Sequence, residues 1–130
     1  MKKYRYYQPN EKDLKDSCGD CVIRSFTKVT GKTWLQVFDE LTDIARQMQC
    51  MPNDKSCYVE FLKQNGFVYT GVSNKKGSRR PRVKEFSEEG KYVLVVANHL
   101  VASIDGCYYD TWDSGDCCLY GYWRRKKNAD

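Results

Sequence analysis

The sequence predicts an α+β fold in which N-terminal helices pack on one face of a C-terminal antiparallel sheet. Three observations carry that expectation: apolar residues recur at helical spacing in the first half, residues from 91 onward are β-branched and aromatic, and turn pairs punctuate that second half at strand-length intervals. With 130 residues and 15.2 kDa there is room for one core of ordinary size, so a single domain over 1–130 is expected. An apolar content of 41% with 14% aromatics is too high for a disordered chain, and 30% charged residues is too high for a membrane protein.

Residues 1–17 are polar without a sustained period and read as an extended leader wrapped over the domain. The first helix is expected over 21–29, where Val22, Ile23, Phe26 and Val29 share a face, with Asp20 or Ser17 as N-cap and Gly31 just past the end. Thr33 then caps a longer helix with Trp34, Val37, Phe38, Leu41, Ile44, Ala45 and Met48 on its apolar face. A turn at 51–55 leads to a third helix over about 56–64, carrying Val59, Phe61 and Leu62 and stopped by Asn65-Gly66. Helical spacing assigns Trp34, Phe38 and Phe61 to the core. Residues 67–72 read as a short strand, 74–82 as a loop by Gly77, Ser78 and Pro81, and 83–89 as one helical turn. The remainder is expected to be an antiparallel meander with strands over 92–97, 99–104, 107–112 and 117–123.

The net charge of +5 is unevenly placed. Lys75, Lys76, Arg79, Arg80 and Arg82 form one basic block and Arg124, Arg125, Lys126 and Lys127 another, the second read as part of a basic tail over 124–130. Without these nine, 13 basic residues face 17 acidic ones, so the body carries about −4. No aromatic residue interleaves with either block, so nucleic acid is not the expected partner; the 74–82 loop is expected instead to select an acidic protein or peptide. The N-terminus has positive charge but no apolar stretch after it, and no run reaches transmembrane length, so a cytoplasmic protein without membrane contact is expected. Seven cysteines, an odd number, read as mostly free thiols in a reducing compartment. The sequence carries no signal for an oligomeric state.

Asp105-Gly106 between two strand patterns signals a two-residue hairpin turn. Ile104 then faces Cys107, Val101 faces Asp110, and His99 faces Trp112. Asp110 becomes the diagonal cross-strand neighbour of His99, the single histidine, at a separation of roughly 7–8 Å that the two side chains can bridge. Cys21, at a helix N-terminus, sits where unpaired amides and the helix dipole favour a thiolate. A thiol, a histidine and a carboxylate far apart in sequence but able to meet are the components of covalent thiol catalysis.

Short motifs add a resemblance. Cys18-Gly19-Asp20-Cys21 resembles the C-G-[SA]-C signature that opens the central helix of papain-like cysteine peptidases, Asn98-His99 resembles the start of their histidine strand, and Asp110-Thr111-Trp112 resembles their Asn-x-Trp element with Asp in the Asn role. The chain is also similar to short phage and prophage proteins that share a G-D-C…H…D-x-W-D pattern. The resemblance implies a papain-like fold and a cysteine peptidase, isopeptidase or amidase of the host cytoplasm, acting on a protein or peptide without cofactor or metal. It implies a triad in which Cys21 is the nucleophile, His99 the acid and base, and Asp110 the group that fixes the imidazole, with Asp20 and Trp112 lining the site and Trp112 shielding the His99–Asp110 bond. The family pattern has Gln six residues before the nucleophile, where this chain has Lys15, so Gln8 or Asn10 in the leader becomes the candidate oxyanion side chain beside the Cys21 amide.

Three other readings compete. Cys18-x-x-Cys21 resembles a thioredoxin-type dithiol, which should follow a buried strand. Cys18 and Cys21 with Cys117 and Cys118, or with Cys50 and Cys57, are zinc-ligand candidates. The third is a catalytically silent papain-like fold that serves as an adaptor through its basic blocks and exposed aromatics.

Overall fold

A chain whose first half is apolar every third or fourth residue and whose second half alternates must bury a stripe of each against the other. The computed structural model, which describes residues 3–72 and 79–126, has three α-helices and a six-stranded mixed sheet. The helices are α1 (Cys21–Thr30), α2 (Trp34–Met48) and α3 (Lys55–Gln64). The strands are β1 (Tyr4–Tyr6), β2 (Phe67–Gly71), β3 (Lys91–Val96), β4 (His99–Ile104), β5 (Cys107–Asp110) and β6 (Gly121–Arg125), in the order β1-β5-β4-β3-β6-β2.

Local signals set the helix ends. Gly31, at φ 76°, closes α1 with its amide on the Thr27 carbonyl, a conformation that costs glycine little. Thr33 and Gln36 form a reciprocal capping box at the start of α2. Phe26, Val29, Val37, Leu41, Phe61 and Leu62 from the helices pack on Val93, Ala102 and Trp123 of the sheet. The alternate residues of the same strands, Leu94 and Val101, face the other way, where Val83, Phe86, Tyr108 and Leu119 cover them. Burial on both faces is why β3 reads as an almost unbroken apolar run.

Several expectations need correction. The sheet is mixed rather than antiparallel, because leader residues 4–6 join its edge as β1, parallel to β5, with Tyr4 opposite Tyr108 and their rings 5.8 Å apart. A three-residue strand is too short to show a period. Nor do the last strands form a meander. The chain leaves the sheet after Asp110, and β6 returns on the far side of β3, with β2 beyond it. Cys117 and Cys118 therefore lie before the last strand, which begins only at Gly121, where the Tyr69 ring leaves no room for a Cβ. Arg124 and Arg125 belong to β6, so the basic tail begins inside the sheet. The single turn over 83–89 is a 3-10 turn of three residues, Val83–Glu85. Phe61 is in the core, but Trp34 is only half-buried and Phe38 is 36% exposed; they stack on each other at the rim, 5.4 Å between centroids. Of the two basic blocks, Lys75, Lys76 and Lys127 lie outside the described residues. Among the described residues no helix is long and apolar enough to cross a membrane.

Candidate functional site

The site forms where a strand stops early. Asp105 and Gly106 both have positive φ, 52° and 85°, as a two-residue hairpin turn requires, and they fix the register Ile104↔Cys107, Ser103↔Tyr108 and Ala102↔Tyr109. Pairs two residues apart repeat the same hydrogen-bonding role, so the next bonded partner of Leu100 would be Thr111. But β5 ends at Asp110, and the Thr111 amide turns back to Asp110 Oδ1 at 2.8 Å. Helix α1 takes the freed strand groups. Ser25 Oγ donates to the Leu100 carbonyl at 3.0 Å, and the Leu100 amide hydrogen-bonds the Cys21 sulfur one helical turn earlier. The edge of β4 thus holds the first turn of α1, and with it the thiol.

The same geometry gathers the rest. Asn98, at φ 54°, closes the tight turn that pairs Val96 with His99. His99 Nε2 lies 2.6 Å from Asp110 Oδ2, which leaves Nδ1 for the Cys21 thiol, with which the ring is also hydrogen-bonded. The Trp112 ring, itself 49% exposed, covers the imidazole at 5.3 Å and 30°. Asp110 is 1% exposed and fully engaged: Oδ2 also accepts from Ser114 Oγ at 2.8 Å, and Oδ1 accepts from Arg24 at 3.0 Å as well as from the Thr111 amide. Arg24, 7% exposed, reaches back with its other terminal nitrogen to Asp20 Oδ1 at 2.9 Å, and Asp20 Oδ2 accepts from Trp34 Nε1 at 2.8 Å. A continuous line of hydrogen bonds therefore runs from Trp34 through Asp20, Arg24, Asp110 and His99 to Cys21.

Protonation follows from these contacts. Burial alone would raise the Cys21 pKa; the His99 hydrogen bond, the Leu100 amide and the positive charges of His99 and Arg24 outweigh it and hold the thiol below its ordinary value. Burial alone would lower that of His99, but its bonds to Asp110 and Cys21 raise it to about 9. Asp110 is depressed in spite of burial by His99, Ser114 and the Thr111 amide. All three shifts favour a thiolate–imidazolium pair beside an ionised carboxylate. The pair opens into a cleft of about 910 Å³, lined also by Asn53, Tyr58 and Trp112.

The leader does not serve the site as the sequence suggests. Gln8 Oε1 accepts from the Asn10 amide at 3.0 Å and Asn10 Oδ1 from the Lys12 amide at 3.0 Å, so both side chains are tied into a local turn, and neither lines the cleft. Asp20 stands at the N-cap of α1 but makes no side-chain capping bond, because Arg24 and Trp34 hold its carboxylate. The amides of the first turn, Cys21 among them, are thereby not taken up by the cap. Sequence reasoning missed Arg24, Ser114 and the Leu100 amide; the one visible signal was the Asp20–Arg24 spacing of four on a helix.

The other thiol arrangements look different. Cys18 follows a 3-10 turn, Lys15–Ser17, rather than the buried strand a dithiol motif requires, and its pKa is raised by burial and by Asp20. Burial and the neighbouring Cys50 push Cys57 up to about 11. Cys117 and Cys118 do not approach either pair as a ligand set: among the described residues no group of three or more His, Cys, Asp or Glu side chains is arranged to hold a metal ion. The sequence matches no family model, and searches of curated proteins and of solved structures return no match.

Proposed function

We propose that the protein is a cysteine hydrolase with a papain-like arrangement, cleaving a peptide, isopeptide or side-chain amide bond. One observation carries the reading: a thiol with a lowered pKa at a helix N-terminus is hydrogen-bonded to a histidine whose other nitrogen is held by a buried carboxylate. The layout supports it, since the helix bearing Cys21 packs on the strand bearing His99, and Asp110 lies on the next strand. Seven free cysteines suit a reducing compartment such as the cytoplasm.

In this reading the Cys21 thiolate attacks the carbonyl carbon and the carbonyl π electrons move to oxygen. The oxyanion meets the amides at the start of α1. As the C–N bond breaks, imidazolium His99 gives its proton to the departing nitrogen, leaving a thioester on Cys21 and a neutral imidazole. His99 then takes a proton from water as its oxygen attacks the thioester, and collapse releases the carboxylic acid and restores the thiolate–imidazolium pair. Asp110 orients the ring throughout, and Arg24 and Ser114 orient Asp110.

The test is a limited dose of iodoacetamide at pH 6, followed by peptide mapping. Cys21 should be alkylated ahead of the other six thiols, and far more slowly in His99→Ala. Uniform alkylation of all seven would sink the reading.

A further inference from the structure

Cys50 and Cys57 lie outside the triad, and neither lines the cleft. Cys50 follows the end of α2 and donates its amide to the Ala45 carbonyl at 3.0 Å. Cys57, in the first turn of α3 and fully buried, donates its thiol to the Leu41 carbonyl at 3.2 Å. Leu41 and Ala45 stand one turn apart on the same face of α2, about 6 Å along the axis, so neighbouring carbonyls hold the two cysteines side by side. The sulfurs meet there, the Cys57 thiol being in hydrogen-bonding contact with Cys50 as well. Contact between two thiols is the starting geometry of a disulfide, which asks only that the sulfurs close to about 2 Å. Their access differs. Cys50 is half-buried and Cys57 has no exposed surface, so a reagent meets Cys50 first and Cys57 reaches only what Cys50 carries. The segment between them is a turn in which Asp54 Oδ2 accepts from the Met51 amide at 2.9 Å, and its Asn53, Asp54 and Lys55 wall the cleft.

We propose that Cys50 and Cys57 are an oxidation site built into the fold: a low-molecular-weight disulfide such as oxidised glutathione converts them to a disulfide that ties the end of α2 to α3 behind the cleft wall. The Cys50 thiolate attacks one sulfur of the reagent, whose S–S bond breaks, and the other half leaves as a thiolate that takes up a proton. Cys57 then gives up its proton and attacks the Cys50 sulfur, expelling the second half as a thiol. Two cysteine thiols are oxidised and one disulfide is reduced to two thiols. Burial and the charge of Cys50 push Cys57 up to about 11, and the second influence ends once Cys50 carries the mixed disulfide, so the attacking thiol ionises more readily at the step that needs it. In reverse, a reductant that attacks the Cys50 sulfur must expel Cys57, a poor leaving group by the same pKa, and the bond once formed is reduced slowly.

The experiment incubates the reduced full chain with oxidised glutathione, traps the remaining thiols with N-ethylmaleimide and maps tryptic peptides by mass spectrometry without reduction. Trypsin cuts after Arg46, Lys55 and Lys63, so Cys50 and Cys57 fall in different peptides and the link is read as the two joined. It should form ahead of any link among the other five cysteines. It should also form roughly tenfold or more faster in buffer than in urea above the unfolding midpoint, because the fold, and not the short spacing of six intervening residues, holds the sulfurs together. The linked protein should have a higher urea midpoint than the reduced one, since a cross-link at native geometry restricts chiefly the unfolded chain, and dithiothreitol should return it. Cys50→Ser, which leaves the buried Cys57 in place, should lose both the joined peptide and the midpoint shift. Cys50 recovered as a mixed disulfide beside a trapped Cys57, equal rates in buffer and urea, or a midpoint that falls on linking would each overturn the proposal. None of these outcomes bears on the labelling of Cys21, so the oxidation site and the hydrolase reading stand or fall separately.

Discussion

Arg24 and Arg79 each hold a carboxylate at nearly the same distance, 2.9 Å to Asp20 and 2.8 Å to Glu85, yet the two pairs sit in opposite surroundings. The Arg24 and Asp20 side chains are 8% and 1% exposed; those of Arg79 and Glu85 are 62% and 42%. Water and salt screen the second pair, and its geometry is easily exchanged for hydration. The first has no water to return to, so removing one partner strands the other. Arg24 also binds a second carboxylate, Asp110, and through it orients His99. A contact distance therefore does not separate a charge that shapes the site from one that fastens a loop. Burial and the number of fixed partners do.

The largest effect that can break this comparison is loss of Arg24. Arg24→Met leaves Asp20 and Asp110 buried without their shared cation and is expected to cost about 3–5 kcal/mol, read as a lowered urea midpoint. The corresponding Arg79→Met should leave the midpoint where it is. Equal midpoints in the two variants would mean that the buried line of charges is dispensable.

The second effect is on reactivity. In the wild-type protein alkylation of Cys21 should rise with pH through a midpoint below that of an ordinary thiol. In His99→Ala the thiol loses the His99 hydrogen bond and charge that offset its burial and keeps only the Leu100 amide and Arg24, so the midpoint should move to higher pH. At pH 6 the rate should then fall about tenfold for every pH unit by which the midpoint rises. Hydrolysis has a second limb, because the imidazolium must donate a proton. It should fall as pH rises through about 9. Asp110→Asn removes the carboxylate charge that raises the His99 pKa, so this alkaline limb should move to lower pH. A limb unmoved in Asp110→Asn would separate Asp110 from the titration of His99.

Why the sequence discloses some of this and not the rest is visible in single residues. Asp105-Gly106 encodes a turn whose length dictates register, and register alone carries His99 and Asp110 to one place. Thr33 and Gly31 encode helix ends through bonds to near neighbours. What stays hidden depends on partners distant in the chain. Asp20 reads as an N-cap because its spacing to α1 is local, whereas its actual partners, Arg24 and Trp34, are decided by burial. The parallel pairing of β1 with β5 joins Tyr4 to Tyr108 across nearly the whole chain, and no local pattern records it. Gln8 and Asn10 have the right chemistry for an oxyanion site, but short-range turns satisfy them first.

A smaller effect lies at the rim. Trp112 stacks on His99 while remaining 49% exposed, so it is both a cover and a surface residue. Trp112→Ala should admit water to the His99–Asp110 bond and lower the Cys21 alkylation rate only a few-fold, with a smaller drop in the urea midpoint than Arg24→Met, since about half of the residue is already exposed. A loss as large as that of His99→Ala would make Trp112 part of what holds the imidazole in place.

The smallest effect is expected where the sequence placed a partner-selecting loop. Of the 74–82 block, the described arginines are engaged by the chain itself: Arg79 by Glu85, Arg80 by the Val72 carbonyl and the Tyr120 ring, and Arg82 by the Asp116 carbonyl. They flank Val83, which packs in the cluster on the sheet face opposite α1. Interactions between exposed charges fade over about 10 Å in 0.1 M salt, and the Arg79–Glu85 pair is exposed. Arg79→Glu sets two carboxylates together in place of an ion pair, yet it should leave both the rate and the pH midpoint of Cys21 alkylation unchanged, in low salt as well as high. A midpoint that moves, and moves back with added salt, would mean that this block projects its field into the cleft, and the division between fastening charges and site-shaping charges would fall with it.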